Sequence, residues 1–215
     1  GEYSTDLGAL DDKLQNKQVK YHELKSKLES LRNLTERYEG YGNSVRHVME
    51  HKKNNNNICG VVADLLHVDK KYEIAIETAL GGNIQNIVTE DERTAKEMIR
   101  FLKENRLGRA TFLPLTSVQH RQFNAPAALT EKGVIGLAND LVDFDDKYKD
   151  VASHLLGNYI VVDNIDNALA LAKKFDYTLR CVTVGGEALN PGGSIFDISK
   201  FGSAFEGPVK FDSSL

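Results

Sequence analysis

The six histidines are the side chains best suited to bind a metal ion or transfer a proton near neutral pH, and they lie singly on separate segments. His47 and His51 are four residues apart, a spacing that places two imidazoles on one face of a helix. No HExxH motif, third histidine or cysteine accompanies them. The sequence therefore predicts no metal site.

The acidic clusters stand where helical patterns begin. Glu90–Glu92 and Asp143–Asp146 both precede such patterns, and carboxylates there oppose the positive end of the helix dipole. Serine is frequent near the carboxyl end, but no GxSxG motif is present. We therefore predict that the chain is not an enzyme in its own right.

The glycine-rich stretch Val184–Ser194 has some features of a phosphate-binding loop. It lacks the lysine of a GxxxxGK[ST] loop and the GxGxxG pattern that runs straight into a helix. Glycine also lets two backbones approach closely, because it has no Cβ. Two interpretations stay open: a close contact between protein strands, which we favour, and a small-molecule or nucleotide site that uses Gly185–Gly193. No cofactor is predicted.

The cysteine content, net charge and hydropathy of the chain narrow the classes of protein to which it can belong. Cys59 and Cys181 stand in apolar, strand-like runs, which predicts two reduced core thiols; a disulfide or a shared metal is the alternative. The net charge of −4 excludes a generally basic nucleic-acid binder, so any DNA contact requires a local basic patch. We expect no membrane span and no signal peptide. The absence of an initiator Met leads us to expect a piece of a longer protein, and the two reduced thiols lead us to expect a cytoplasmic one.

The amino-terminal segment carries a heptad pattern that predicts a coiled-coil helix. A stripe at 3.5-residue spacing stays in contact with a partner helix only if both supercoil. An amphipathic helix lying on its own globular domain is the alternative. The stripe is Leu7, Leu10, Leu14, Lys17, Tyr21, Leu24, Leu28, Leu31, Thr35 and Tyr38, and it ends before Gly40.

The rest of the chain looks like an internal duplication. Asp69–Tyr72 and Asp145–Tyr148 share an acidic-Lys-Tyr step about seventy-five residues apart, each followed by a helical pattern. Strand–helix–strand patterns surround both steps, which predicts two similar α/β subdomains. The loop between them contains proline and alanine.

Several motifs, in this order, make the chain resemble the hinge of bacterial SMC (structural maintenance of chromosomes) proteins. They are Tyr38–Tyr41 with Val45–Arg46, Gly60–Leu65, Lys71–Gly82 with Gln85–Val88, Leu107–Leu115, and Asn190–Ser194.

The resemblance implies a mixed α/β (α+β) hinge fold: two pseudo-repeated subdomains preceded by a coiled-coil helix. The expected divisions are a coiled-coil arm over 1–39, subdomain I over 40–115, a linker over 116–132, subdomain II over 133–198, and a divergent or vector-derived tail over 199–215. Ile195–Leu215 departs from the family pattern, and its origin stays open.

The resemblance also implies the partners. The hinge pairs with a second copy, each arm returns antiparallel on itself towards a distant ATPase head, and the complete protein segregates chromosomes in the nucleoid. The implied dimer seam is Asn190, Pro191, Gly192, Gly193 and Ser194.

A local basic patch near the arm junction is the predicted DNA contact; a solvated, charged turn is the equal alternative. Its residues are Arg46, His47, Lys52 and Lys53, with Arg106 and Arg109 as possible additions.

Overall fold

The computed structural model describes residues 2–37 and 41–197. It divides into two compact units, Gly1–Glu39 and Gly40–Leu215. In the described ranges, no helix is both long and apolar enough to cross a membrane. Tyr38 and the tail 199–215 lie outside the described residues.

The first unit is a single long helix, α1 (Glu2–Arg37), as the heptad pattern predicts. The apolar stripe is exposed along the described part of this helix. Its exposed members are Leu7, Leu10, Leu14, Tyr21, Leu24, Leu28 and Leu31. The helix is confirmed, and its pairing with another helix stays a prediction.

The second unit begins with α2 (Asn43–His51) and continues into a first repeat, residues 58–114. In chain order its elements are β1 (Ile58–Val61), α3 (Val62–Leu65), β2 (His67–Val68), α4 (Glu73–Leu80), β3 (Ile87–Thr89), α5 (Glu92–Glu104) and β4 (Phe112–Pro114). Strand β3 lies between β1, antiparallel to it, and β4, parallel to it.

A second repeat, residues 134–183, has the same order. Its elements are β5 (Val134–Leu137), β6 (Val142–Asp143), α6 (Lys149–Leu156), β7 (Tyr159–Val162), α7 (Ile165–Lys174) and β8 (Arg180–Thr183). Strand β7 lies between antiparallel β5 and parallel β8, the arrangement of the first repeat. Two further strands, β9 (Glu187–Leu189) and β10 (Ile195–Asp197), extend this sheet to five.

The two repeats match in local detail, which confirms the duplicated α/β fold. Both edge strands carry a bulge at a glycine, Gly60 in β1 and Gly136 in β5. In the first repeat the Asp69 carboxylate accepts a hydrogen bond from the Lys71 backbone N–H at 3.3 Å. In the second, Asp145 accepts from Lys147 at 3.2 Å. Each contact starts a 3-10 turn that leads into the next helix.

The repeats pack together into one core. Strands β2 and β6 form a short antiparallel ladder between them, and α4 of the first repeat packs on β8 and β9 of the second. Burying these apolar faces supplies the main driving force for folding. The central side chains are fully buried: Ile76, Leu80, Ile87, Leu156 and Ile160.

The connection between the repeats has little regular structure. It contains a 3-10 helix at Pro126–Thr130. The buried Ser153 hydroxyl holds it against α6, lying 3.0 Å from both the backbone nitrogen and the backbone oxygen of Arg121. Gly81–Gln85 forms a 3-10 helix that follows α4 directly and leads into β3.

Candidate functional site

The predicted seam residues Asn190–Ser194 form the turn between β9 and β10, at the outer end of the five-stranded sheet. The Asn190 N–H donates to the Ser194 carbonyl at 2.9 Å, and the Gly193 N–H donates to Asn190 at 3.1 Å. Gly192 and Gly193 have φ of 91° and 93°, a region that L-residues with a Cβ rarely adopt. The glycines are therefore required by the turn itself.

Several backbone amides of the glycine stretch donate hydrogen bonds within the chain. Gly186 donates to Thr183 at 3.1 Å, and Gly192 donates to Tyr177 at 2.8 Å. A phosphate loop needs such N–H groups pointing together at the ligand. This geometry favours two consecutive hairpins over the nucleotide site that the sequence left open at Gly185–Gly193.

Apolar side chains surround this turn. On β10, Ile195 is 56% exposed and Phe196 is 46% exposed. Tyr177, which lies against Gly193, is 45% exposed. Exposed apolar groups on an outermost strand are typical of surfaces that contact another protein.

The first four residues of the predicted basic patch lie on α2 and the turn after it. An Arg46 guanidinium nitrogen donates to the Asn43 side chain at 3.4 Å, while Arg46 Nε is buried without a hydrogen-bond partner. His47 Nδ1 lies 3.6 Å from a Glu50 carboxylate oxygen. Lys52 and Lys53 are exposed just past the end of the helix.

Arg106 and Arg109 are exposed on the loop that follows α5. This loop is tied to the start of α2, because the Ser44 hydroxyl donates to the Arg109 carbonyl at 2.7 Å. The structure thus brings the Arg109 backbone beside the amino end of α2. Lys52 and Lys53 lie at the opposite end, about 13 Å away along a nine-residue helix.

His51, the second member of the i, i+4 histidine pair, has a structural role. Its ring stacks edge-on against Phe101 of α5, with centroids 4.3 Å apart. Its Nδ1 lies 3.0 Å from the His47 carbonyl, to which it donates. Among the described residues, no group of three potential metal ligands converges.

Sequence reasoning misassigned Glu90. Asp91 caps α5, accepting from the Thr94 N–H at 2.8 Å, whereas Glu90 turns away and pairs with Lys147 of the other repeat. Glu90 also accepts a hydrogen bond from the Cys59 thiol. No local pattern signals this cluster, since Glu90 and Lys147 are far apart in the chain.

The fold and its motifs can be compared with known proteins. The family model described as "SMC proteins Flexible Hinge Domain" matches residues 55–172, more than half of the chain. This chain belongs to the SMC hinge family. The match begins just before β1 and runs into α7, so it covers the first repeat and most of the second.

Curated relatives agree with this assignment. The chain is 42% identical over 195 residues to the chromosome partition protein Smc of Desulfitobacterium hafniense, covering 88% of this chain and 16% of that protein. It is 38% identical over 174 residues to the Smc protein of Bacillus subtilis, covering 80% of this chain and 15% of that protein. The chain therefore spans about a sixth of the length of these relatives.

Solved structures are similar as well. An asymmetric dimer of the Geobacillus stearothermophilus SMC hinge domain matches with a TM-score of 0.71 and 35% identity, covering 83% of this chain and 74% of that one. The Pyrococcus furiosus SMC hinge domain matches with a TM-score of 0.61 and 32% identity, covering 77% and 85%. These similarities indicate no enzymatic family.

Proposed function

We propose that this SMC hinge pairs with a second copy of itself through the outer end of its five-stranded sheet. The observation that carries the proposal is the exposed apolar surface of Ile195, Phe196 and Tyr177 around the Asn190–Ser194 turn. Covering such a surface removes apolar area from water, and the open Gly192 lets a partner backbone approach. A related hinge from Geobacillus stearothermophilus crystallised as a dimer, which supports self-association.

Gly192 has room for a partner. Among the residues that the structure describes, a Cβ built on Gly192 meets no atom within 4 Å outside its chain neighbours. A two-fold pairing places this turn of one copy against the matching surface of another. Pairing would therefore cover the most exposed apolar strand in the described part of the second unit.

The test is an Ile195→Glu variant, measured by sedimentation equilibrium. Its side chain points into solvent in the single chain, so the fold should survive, while a buried carboxylate at the seam should weaken the dimer at least about tenfold. Gly192→Val should also weaken pairing, but its positive φ strains the turn as well. Ile195→Glu is therefore the more specific variant.

The matched control is Ile99→Glu on the outer face of α5. Ile99 is 41% exposed and belongs to no predicted seam, so this variant should dimerise like the parent chain. Equal dimer affinity in Ile195→Glu and Ile99→Glu would contradict the seam.

We propose DNA binding at the basic patch as a second function. The supporting observation is the Ser44–Arg109 hydrogen bond, which holds the loop carrying Arg106 and Arg109 against α2. The exposed lysines after α2 and the exposed arginines on this loop are local positive charges on an otherwise acidic chain. Phosphate contacts release counterions, so such binding falls steeply as salt rises.

This second proposal is tested by fluorescence anisotropy with a short duplex at several salt concentrations. Lys52→Glu with Lys53→Glu should reduce affinity and flatten the salt dependence. Lys132→Glu with Lys173→Glu is the charge-matched control, since both residues are exposed, Lys132 just before the second repeat and Lys173 within it. Binding that ignores salt, or equal losses in the two double variants, would refute the patch.

The longer protein that carries this hinge is proposed to act in chromosome partition. The names of its relatives support this role. The hinge would join two arms, of which α1 supplies one strand, and an ATPase head would lie beyond them. The returning arm helix is the expected partner of the exposed stripe on α1.

A further inference from the structure

Four side chains from the two repeats meet on one side of the interface between them. Cys59 and Glu90 belong to the first repeat, and Lys147 and Tyr148 belong to the second. Lys147 Nζ lies 2.7 Å from Glu90 Oε1, and the Cys59 thiol lies 3.6 Å from the same oxygen. The Lys147 ammonium is also 5.2 Å from the centroid of the Tyr148 ring. We call this set the Cys59 cluster.

The cluster is layered, with a solvated ion pair over a buried thiol. The Lys147 and Glu90 side chains are 45% and 39% exposed, whereas Cys59 is 8% exposed. Burial, and then the Glu90 carboxylate, raise the pKa of the Cys59 thiol to about 11, while the Lys147 charge acts in the opposite direction. The hydrogen bond from Lys147 lowers the pKa of Glu90. The ion pair therefore persists at neutral pH and covers an uncharged thiol.

The equivalent positions on the other side of the interface are not joined. Asp163 replaces Glu90 and, being one methylene shorter, accepts instead from the Asn164 N–H and the Asn167 side chain, both at 2.8 Å. Lys71 replaces Lys147, and its ion pair, at 4.0 Å, is with Asp69 of its own turn. Across residues 41–197 no ion pair links Lys71 to Asp163.

The side chains beneath these positions are also less buried on the side without the ion pair. Ile135, at the position equivalent to Cys59, is 36% exposed. Tyr72 is half-buried, whereas its counterpart Tyr148 is buried. The duplicated fold therefore does not require the ion pair, because the second copy of the same arrangement exists without it.

We propose that the Glu90–Lys147 ion pair is a one-sided clamp between the two repeats and that its opening is what exposes the Cys59 thiol. When the pair breaks, this side of the interface separates locally without unfolding of either sheet. Such local openings require less free energy than global unfolding. This inference concerns motion within one chain and does not depend on the proposed dimer.

The two cysteines of the chain allow this opening to be measured. Cys59 lies under the clamp, whereas Cys181 is fully buried in the core of the second repeat. Alkylation by N-ethylmaleimide, followed peptide by peptide with mass spectrometry, gives a separate rate for each thiol. Glu90→Gln and Lys147→Met should both accelerate Cys59 alkylation about two- to fivefold, the range expected for an ion pair of this exposure. The Cys181 rate should stay unchanged.

The two variants distinguish opening from a simple change in thiol reactivity. The thiolate is the reactive form, so removing Glu90 from a closed site would speed alkylation and removing Lys147 would slow it. Opening predicts acceleration in both. Lys71→Met, the equivalent change on the other side, should leave the Cys59 rate unchanged.

Several outcomes would overturn the clamp. They are a slower Cys59 reaction in Lys147→Met, an equal acceleration in Lys71→Met, or an acceleration of Cys181 in step with Cys59, which would indicate global destabilisation. The rates are measured over a range of protein concentrations. A Cys59 rate that follows dimer dissociation would also overturn the clamp, but it would leave the proposed dimer unaffected.

Discussion

At the scale of single residues, the two repeats cap equivalent helices with different side chains. Asp91 accepts from the Thr94 N–H at 2.8 Å at the start of α5, and Asn164 accepts from the Asn167 N–H at 2.9 Å at the start of α7. Either side chain satisfies a helix amide that has no partner within the helix. Only Asp91 can titrate, so the stability of the first repeat gains a dependence on pH.

The hydrogen bond from Thr94 lowers the pKa of Asp91 in the folded chain. A carboxyl with a lowered folded pKa contributes stability above its unfolded pKa and loses that contribution as pH falls towards the folded pKa. We expect Asp91→Asn to cap α5 while weakening the loss of stability in the acid range where an aspartate takes up its proton. Urea unfolding at several pH values checks this, and an unchanged pH profile would contradict it.

Sequence reasoning at the residue scale succeeded where the signal is local. The acidic-Lys-Tyr steps at Asp69–Tyr72 and Asp145–Tyr148 predicted that a helix follows each of them, and α4 and α6 do follow. It failed for Glu90, because Lys147 approaches only after the repeats have packed. An ion pair that forms only in the tertiary structure produces no periodic pattern in the sequence.

At the scale of elements, the helices α4 and α6 connect the repeats into one cooperative unit. They occupy equivalent positions, and each ends on a buried leucine, Leu80 at 2% exposure and Leu156 at 0%. Helix α4 packs on the sheet of the other repeat, so a destabilising substitution in α4 also affects that repeat.

Leu80→Ala and Leu156→Ala should each lower the free energy of unfolding by about 2–5 kcal/mol, because each leaves a cavity in this shared core. Both variants should still unfold in a single transition. The control Leu169→Ala, on an exposed face of α7, should change stability by no more than about 0.5 kcal/mol. Urea unfolding followed by circular dichroism measures all three, and two separate transitions would contradict a shared core.

The sequence did not predict strands β9 and β10. Each has three residues, too few to show alternation, and β9 pairs with the edge of β8 while β10 pairs with β9. The glycine stretch predicted a loop near Asn190–Ser194 but not that it joins two strands. The longer helices α5 and α7, with caps and an apolar face, were predictable from their pattern.

At the scale of the whole molecule, the described residues include two exposed apolar surfaces that suit protein partners. The stripe of α1 is apolar and exposed, and the outer strand β10 presents Ile195 and Phe196. A helix of this length without a partner is only marginally stable in water, so α1 is not expected to define the oligomer alone. The central claim is that the globular unit pairs two chains.

The most direct test is the molar mass in solution, measured by light scattering across a range of concentrations. Both the intact chain and a chain lacking residues 1–39 are measured. We predict a mass twice that of one chain for both, because the proposed contact lies in the unit Gly40–Leu215. A dimer that is lost with residues 1–39, or a single-chain mass in both samples at every concentration, would contradict it.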